Sequence, residues 1–422
     1  PLIISPHNHK RLYFAANKLF RSDDRGDTWK AISGDLTRQI DRNKLKVMDK
    51  VWSMDAVMKN KSTTIYGNIV ALAESPIQEN LLYVGTDDGL IHVSENAGES
   101  WRKIDKFPGI PETTYVNDLI ASKHDANTVY AVFNNHKKGD FKPYILVSRD
   151  KGDTWAAVHG NLPKRGSVYA IAEDHLKSTL LFAGTEFGLF FSIDGGIEWT
   201  QLKNGLPTIA VRDLEIQQRE NDLVLATFGR GFYILDDYSA LRTFSEKLLI
   251  QPAHIFPVKD ALMYVDARPL GLRGKGSQGE SFYNAENPPL GAVFTYLLND
   301  TLKTIKEKRQ ENEKSLIKEG KAVPYPTSQL MREEDQEEKP YILFTITDDK
   351  GNEVRKIKSN PKYGMNRVVW DFRYAATTPV QLNQGKVGRY GEGSSVPLAL
   401  PGQYFVSMKK SENGVFTELS KS

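Results

Sequence analysis

One eight-residue pattern recurs four times in this chain and limits its fold more than any other feature: Ser, any residue, Asp, any residue, Gly, any residue, Thr, Trp. It is complete at 22–29 and 148–155. At 94–101 it is softened, with Asn96 for Asp and Ser100 for Thr, and at 192–199 it is varied further. Four of the six tryptophans occupy its last position. Asp and Asn side chains accept hydrogen bonds from backbone N–H groups two residues on, and Gly adopts a φ that other residues avoid. Asp-x-Gly between two apolar runs therefore predicts a hairpin turn, with the Trp opening the next strand and packing its large face under the turn. The structural positions are Asp24, Trp29, Asn96, Trp101, Asp150, Trp155, Asp194 and Trp199.

Each turn is preceded by short apolar strands. Leu82–Thr86 with Ile91–Val93 and Leu181–Thr185 with Leu189–Phe191 are examples, and the same shape returns without the turn at 225–235. Most units also have an earlier strand, at 69–73, 116–120, 168–172 and 211–216. Four short strands per unit is the build of a propeller blade. The last two turns begin 44 residues apart, at Ser148 and Ser192, which is the usual blade period of roughly 40–50 residues. The first interval is stretched by a charged insertion at about 37–64 that carries Trp52 and is expected to cross a face of the propeller. Five blades are expected, the first without its inner strand.

The pattern Ser22–Trp29, with its three copies, resembles the Asp-box of sialidase-type BNR-repeat and sortilin-like (VPS10) β-propellers, over roughly the first 240 residues. The fold implied is all-β: propeller blades over 1–240, a linker over 241–290, and an immunoglobulin-like β-sandwich over 291–422. The strands at 292–298, 341–347, 367–373 and 401–408 alternate and turn at Asp348–Asn352. Between the first two, residues 300–339 are rich in Lys and Glu and read as an exposed helical insertion. Bacterial relatives with this resemblance are exported and are often named for glycosyl hydrolysis.

Composition narrows the function. The 422 residues carry a net charge of only +3, so nothing argues for nucleic acid, which wants a clustered basic face. There is no cysteine, which removes disulfides, thiolate metal sites and Cys nucleophiles. No apolar run reaches the eighteen or so residues of a membrane helix. The chain opens on Pro1 rather than Met, and is read as a piece of a longer precursor whose upstream part, or a protein partner, completes the propeller. No cofactor motif is present. Gly271–Gly279 lacks the Gly-Lys-Ser/Thr ending of a phosphate loop, His7, His9 and His136 sit at no metal spacing, and Lys303–Lys321 reads as a solvated helix.

In a blade the inner strand starts on one face and the turn from second to third strand returns to it. That places Asn68, Tyr115, Asn117, Tyr169, Arg212 and Arg230 around one mouth as ligand-binding residues, and Asp88, Asp118, Glu186 and Asp213 there as the carboxylates a glycosidase would need. Carboxylates, amides, aromatics and arginines together suit a polar ligand. An ion pair of Arg212 with Asp213 is the structural alternative. No Arg-Ile-Pro motif or arginine triad is found. The sequence therefore leads to a non-catalytic binding or assembly module of the cell envelope, with a glycoside hydrolase of sialidase or xyloglucanase type as the alternative and a peptide receptor as the third reading.

Overall fold

In the computed structural model, residues 1–57, 59, 67–264, 285, 287–376 and 396–421 are described. The glycine-rich stretch 271–279 and part of the 37–64 insertion lie outside them. The chain is predominantly β and divides into two compact units, Pro1–Arg242 and Thr243–Ser422.

The first unit is a succession of antiparallel sheets. Sheet one is β1 (Leu2–Ile4), β2 (Leu12–Ala15), β3 (Leu19–Ser22) and β4 (Lys30–Ala31). Sheet two is β5 (Ile69–Glu74), β6 (Leu82–Thr86), β7 (Ile91–Ser94) and β8 (Arg102–Ile104). Sheet three is β9 (Tyr115–Ala121), β10 (Val129–Asn135), β11 (Asp140–Ser148) and β12 (Ala156–Ala157). Sheet four is β13 (Val168–Glu173), β14 (Leu181–Thr185), β15 (Gly188–Ser192) and β16 (Thr200–Leu202). Sheet five is β17 (Val211–Gln217), β18 (Asp222–Thr227) and β19 (Phe232–Leu235), followed by the short helix α1 (Ala240–Thr243). Within each sheet, consecutive strands are neighbours, the meander of a β-propeller blade. The expected gap in the first blade is not there: Leu2–Ile4 pairs with Leu12–Phe14 as an inner strand. Its three residues lacked the length that marks the other inner strands. The fifth sheet is the three-stranded one.

Blades join through apolar seams made by alternate residues of facing strands. One seam holds Tyr13, Leu19, Ile69 and Val84, and another Tyr83, Val116, Leu119 and Phe133. A third holds Val132, Ile145, Ile171 and Trp199, and a fourth Phe182, Leu214, Leu225 and Tyr238.

The repeated turns join third to fourth strands, and their geometry corrects one expectation. The Asp carboxylate accepts from the N–H four residues on, not two: Thr28 N to Asp24 at 2.9 Å, Thr154 N to Asp150 at 2.8 Å and Glu198 N to Asp194 at 3.0 Å, with Ser100 N to Asn96 at 3.0 Å. The leading Ser closes the other half, its Oγ accepting from the turn Gly N–H at 2.6–2.8 Å (Gly26, Gly98, Gly152, Gly196). The span is a wider loop than a two-residue turn, so the carboxylate reaches across it. Each of these glycines has φ between 90° and 99°. A Cβ on Gly98 or Gly196 would also stand 2.6 Å from a carbonyl of the preceding blade, Ile32 O or Val158 O. The Trp does more than pack under the turn. Trp199, 4% exposed, donates its indole N–H to Val158 O at 3.0 Å, and Trp101 donates to Ile32 O at 3.3 Å.

In the second unit, α2 (Glu246–Leu249) leads into β20 (Ala253–Ile255), which pairs with β21 (Ala292–Leu298). After α3 (Ile305–Lys318) and α4 (Ser328–Gln336) come β22 (Tyr341–Asp348), β23 (Glu353–Ser359), β24 (Gly364–Trp370), β25 (Tyr404–Glu412) and β26 (Val415–Lys421). Two sheets, β20-β21-β24 and β23-β22-β25-β26, share one core of Phe294, Tyr296, Ile342, Phe344, Trp370, Val406 and Met408. Helix α3 starts at a capping box, Thr304 with Glu307, and buries no residue. The sequence reading lacked β20, β23 and β26. β23 buries only Val354, and its alternating charges read as loop.

Candidate functional site at the inner-strand mouth

Antiparallel alternation puts the starts of β5, β9, β13 and β17 at one end of the first unit, together with the turns from second to third strands. The Asp turns lie at the opposite end. At the mouth the inner strands share a feature that the residue pattern did not reveal. Each slips register with its second strand at the equivalent place, leaving Val70, Asn117, Tyr169 and Arg212 without an opposing residue. A bulge of this kind re-aims one side chain. Opposite two of the bulges stands a glycine that lets the next inner strand come close. A Cβ on Gly85 would lie 2.5 Å from Val116 Cγ1, and one on Gly184 would lie 2.8 Å from Val211 O.

Three of the bulged residues, Asn117, Tyr169 and Arg212, touch in sequence. Asn117 Nδ2 donates to Tyr169 O at 2.6 Å. The Tyr169 hydroxyl donates to Glu186 in the β14–β15 turn. Burial, then that carboxylate, pushes the phenol up to about 12. The Arg212 guanidinium lies 3.8 Å from the Tyr169 ring centre and 5.2 Å from that of Phe228, so two rings from two blades bracket it. Arg212 and Asp213 are both exposed, and no ion pair joins them. Asp213 accepts instead from Leu214 N at 2.9 Å.

Asp118, next to the Asn117 bulge, accepts from Ile171 N at 3.0 Å. Its depth among the inner strands, and then the negative charges of Asp213 and Glu215, hold its carboxyl up to about 6. Asp88 is not available for chemistry. It is fully buried, taking Thr86 Oγ1 at 2.5 Å and Arg38 N at 2.7 Å, and so anchors the 37–64 insertion. Its neighbour Asp87 accepts from Gly67 N and Asn68 N at 2.9 and 2.8 Å, which ties the start of β5. Tyr115 carries Lys137 over its ring at 5.3 Å. Arg230 is exposed in the β18–β19 turn between Gly229 and Gly231, both at positive φ.

The structure adds residues that the sequence reading passed over. The turn from β10 to β11 lacks the Gly-Thr-Asp/Glu signature of the neighbouring blades, yet it brings to the mouth Asn134 and also His136, which the sequence weighs only as a metal ligand. Asn134 Oδ1 lies 2.5 Å from His136 Nδ1. Burial, then the cations Lys137 and Arg212, lowers the His136 pKa. His7, weighed above with His9 and His136 as a metal ligand, instead works at the Asp-turn end. Its Nε2 lies 2.8 Å from Ser75 O of the next blade, and His124 repeats the contact with Asp174 O at 2.7 Å.

No family model matches the chain. Xyloglucanase Xgh74A of Acetivibrio thermocellus is 27% identical over 140 residues, covering 30% of this chain and 16% of that one. A xyloglucanase of a Paenibacillus species is 28% identical over 137 residues, covering 30% and 13%. The chain thus spans a small fraction of the length of these relatives. Among solved structures, a GH74 xyloglucanase from Xanthomonas campestris covers 54% of this chain and 33% of its own at 15% identity and TM-score 0.39. YCF48 bound to D1 peptide covers 58% and 65% at 12% identity and TM-score 0.37. No helix among the described residues is long and apolar enough to cross a membrane.

Proposed function

We propose that the first unit is a non-catalytic glycan-recognition segment of an exported propeller protein of the Asp-box, sortilin-like kind, and that the mouth of its inner strands is the binding surface. The row of bulged residues carries this reading. Three successive blades place the same irregularity at Asn117, Tyr169 and Arg212, the last of which adjoins an exposed ring, Phe228 (70% exposed). Amides, a held arginine and aromatic faces are what a polar, ring-shaped ligand requires. Further blades, from upstream in the same polypeptide or from a partner, would cover the open flanks, where Leu2 and Ile4 of the first sheet and Phe232 and Ile234 of the fifth are 60–75% exposed. The second unit is read as an immunoglobulin-like sandwich with a charged helical insertion. Calorimetric titration with plant-type oligosaccharides tests the proposal. Phe228→Ala should weaken binding about 3- to 10-fold, the worth of one aromatic face. A blank glycan array against the intact protein overturns it.

A second reading, a glycoside hydrolase, is favoured by one observation: a raised carboxyl, Asp118, beside a second carboxylate, Asp213, is the pattern of an acid–base pair. The relatives named as xyloglucanases point the same way. Release of reducing ends from xyloglucan, abolished in both Asp118→Asn and Asp213→Asn, would establish it. Turnover unchanged in both variants would remove it.

A further inference from the structure

Several cations at the Asp-turn end are paired, and four at the mouth are not. At the Asp-turn end, Arg11 meets Asp23 and Glu79 at 3.0 and 2.7 Å, Arg102 meets Asp153 at 2.8 Å and Arg242 meets Asp174 at 2.7 Å. At the mouth, Lys137, Arg165, Arg212 and Arg230 are all exposed, and among the described residues none forms an ion pair. Three of them are held over rings instead: Lys137 over Tyr115, Arg165 over Phe141 at 5.8 Å, and Arg212 between Tyr169 and Phe228. A ring fixes the position of a guanidinium without using its five N–H donors. Glu186, in the turn beside this group, accepts from the Tyr169 hydroxyl and forms no ion pair with Arg212.

We infer that this mouth takes an acidic glycan, a chain bearing uronate carboxylates, with Arg212 as the carboxylate-binding residue. The inference rests on the glycan reading proposed above and names its substrate class. Arg212 presents a planar fork that matches a carboxylate in two parallel hydrogen bonds. Its side chain already rests against two rings, which lowers the freedom lost on binding. Lys137, Arg165 and Arg230 lie on the turns and loops that form the rim, where they would meet successive acidic units. Exposed rings among them, Phe228 at 70% and Phe187 at 45%, offer faces for the apolar side of a pyranose. An acidic peptide could meet the same charges. The spread of flat faces between single cations favours alternating ring and carboxylate, which is the layout of a uronate chain.

The test compares an oligogalacturonate, a neutral xyloglucan oligosaccharide and poly-glutamate by calorimetric titration against the whole protein at low and at physiological salt. The oligogalacturonate is expected to bind at least about 10-fold tighter than the neutral oligosaccharide, with the preference shrinking as salt rises. Arg212→Gln is expected to lower uronate affinity about 10- to 100-fold, the worth of a charge-assisted pair, and Arg212→Lys to recover only part of it. Arg149→Ala, at the Asp-turn end, should change nothing, and far-UV circular dichroism of each variant checks folding. Equal binding of neutral and acidic sugars, or an Arg212→Gln variant with unchanged uronate affinity, overturns the inference and leaves glycan recognition standing. Poly-glutamate binding tighter than uronate overturns it in favour of a peptide. Binding of no sugar at all removes the glycan reading and this inference with it.

Discussion

The two ends of the propeller unit are built from the same strands and solve opposite problems. At the Asp-turn end the first four blades repeat one hydrogen-bond set. Ser Oγ holds the Gly N–H, Asp holds the Thr N–H, and His7 and His124 lie against a carbonyl of the next blade. Charges there are mostly cancelled locally, as at Asp174, which is fully buried and takes Arg242, the Tyr238 hydroxyl at 2.7 Å and two backbone N–H groups. At the mouth the backbone feature repeats but the residue on it changes from Val70 to Asn117, Tyr169 and Arg212. A position whose geometry is fixed while its chemistry varies is free to carry recognition. A position whose chemistry is fixed along with its geometry is carrying the fold.

The comparison can be broken by matched substitutions. Arg242→Ala should cost the most, about 3–5 kcal/mol, because it strands the buried Asp174 carboxylate. Arg212→Ala should cost within about 1 kcal/mol, since it removes only a cation–ring contact at the surface. Chemical denaturation of the two variants side by side is the measurement, and equal losses would abolish the distinction between the ends. Ser148→Ala should cost about 1–3 kcal/mol by leaving Gly152 N–H and its own turn unsatisfied, with ligand binding unchanged.

The ends also differ in the sign of their pH dependence. Hydrogen bonds from Thr154 hold the Asp150 carboxyl down to about 2, below its ordinary 3.8. Its stabilisation is therefore complete above about pH 4 and is lost as pH falls towards 2. Asp118, held up to about 6, works the other way: the folded state binds its proton more readily, so that favourable contribution fades as pH rises from about 4 through 6. Asp150→Asn should flatten the acid limb of a stability–pH curve. Asp118→Asn should flatten the stretch between about pH 4 and 6 and raise stability at pH 7. Reversal of either slope would show that the assignment of these carboxyls is wrong.

Much of the blade framework was legible. The inner strands read at 69–73, 168–172 and 211–216 fall within β5, β13 and β17, because alternating apolar residues must face both neighbouring blades. The turns were legible because Ser, Asp, Gly and Trp each answer a local demand. The hydrogen-bond span of the turn was misjudged, since the register that makes it four residues belongs to the loop as a whole. The first inner strand was missed because Leu2–Ile4 has only three residues and acquires its identity by pairing with β2. Of the mouth residues, Asn117, Tyr169 and Arg212 were reached through blade arithmetic, and Asp88 does lie in its mouth turn, but sequence cannot tell that Arg38 seals it. Asn134, His136 and the bracketing role of Phe228 left no pattern to find.

What the sequence determined by itself is local and repeated. A side chain that must satisfy backbone groups two to four residues away can be read from spacing alone, and so can the apolar alternation of a strand with two packed faces. What only the tertiary structure decided is which side chains are left over. Whether Arg212 pairs with Asp213 or lies between two rings depends on a one-residue slip of register and on how closely Gly184 lets the next strand approach. Those quantities are set by packing between blades, across residues 27 (Gly184 to Val211) and 43 (Tyr169 to Arg212) positions apart in the chain, where short-range pattern has no purchase.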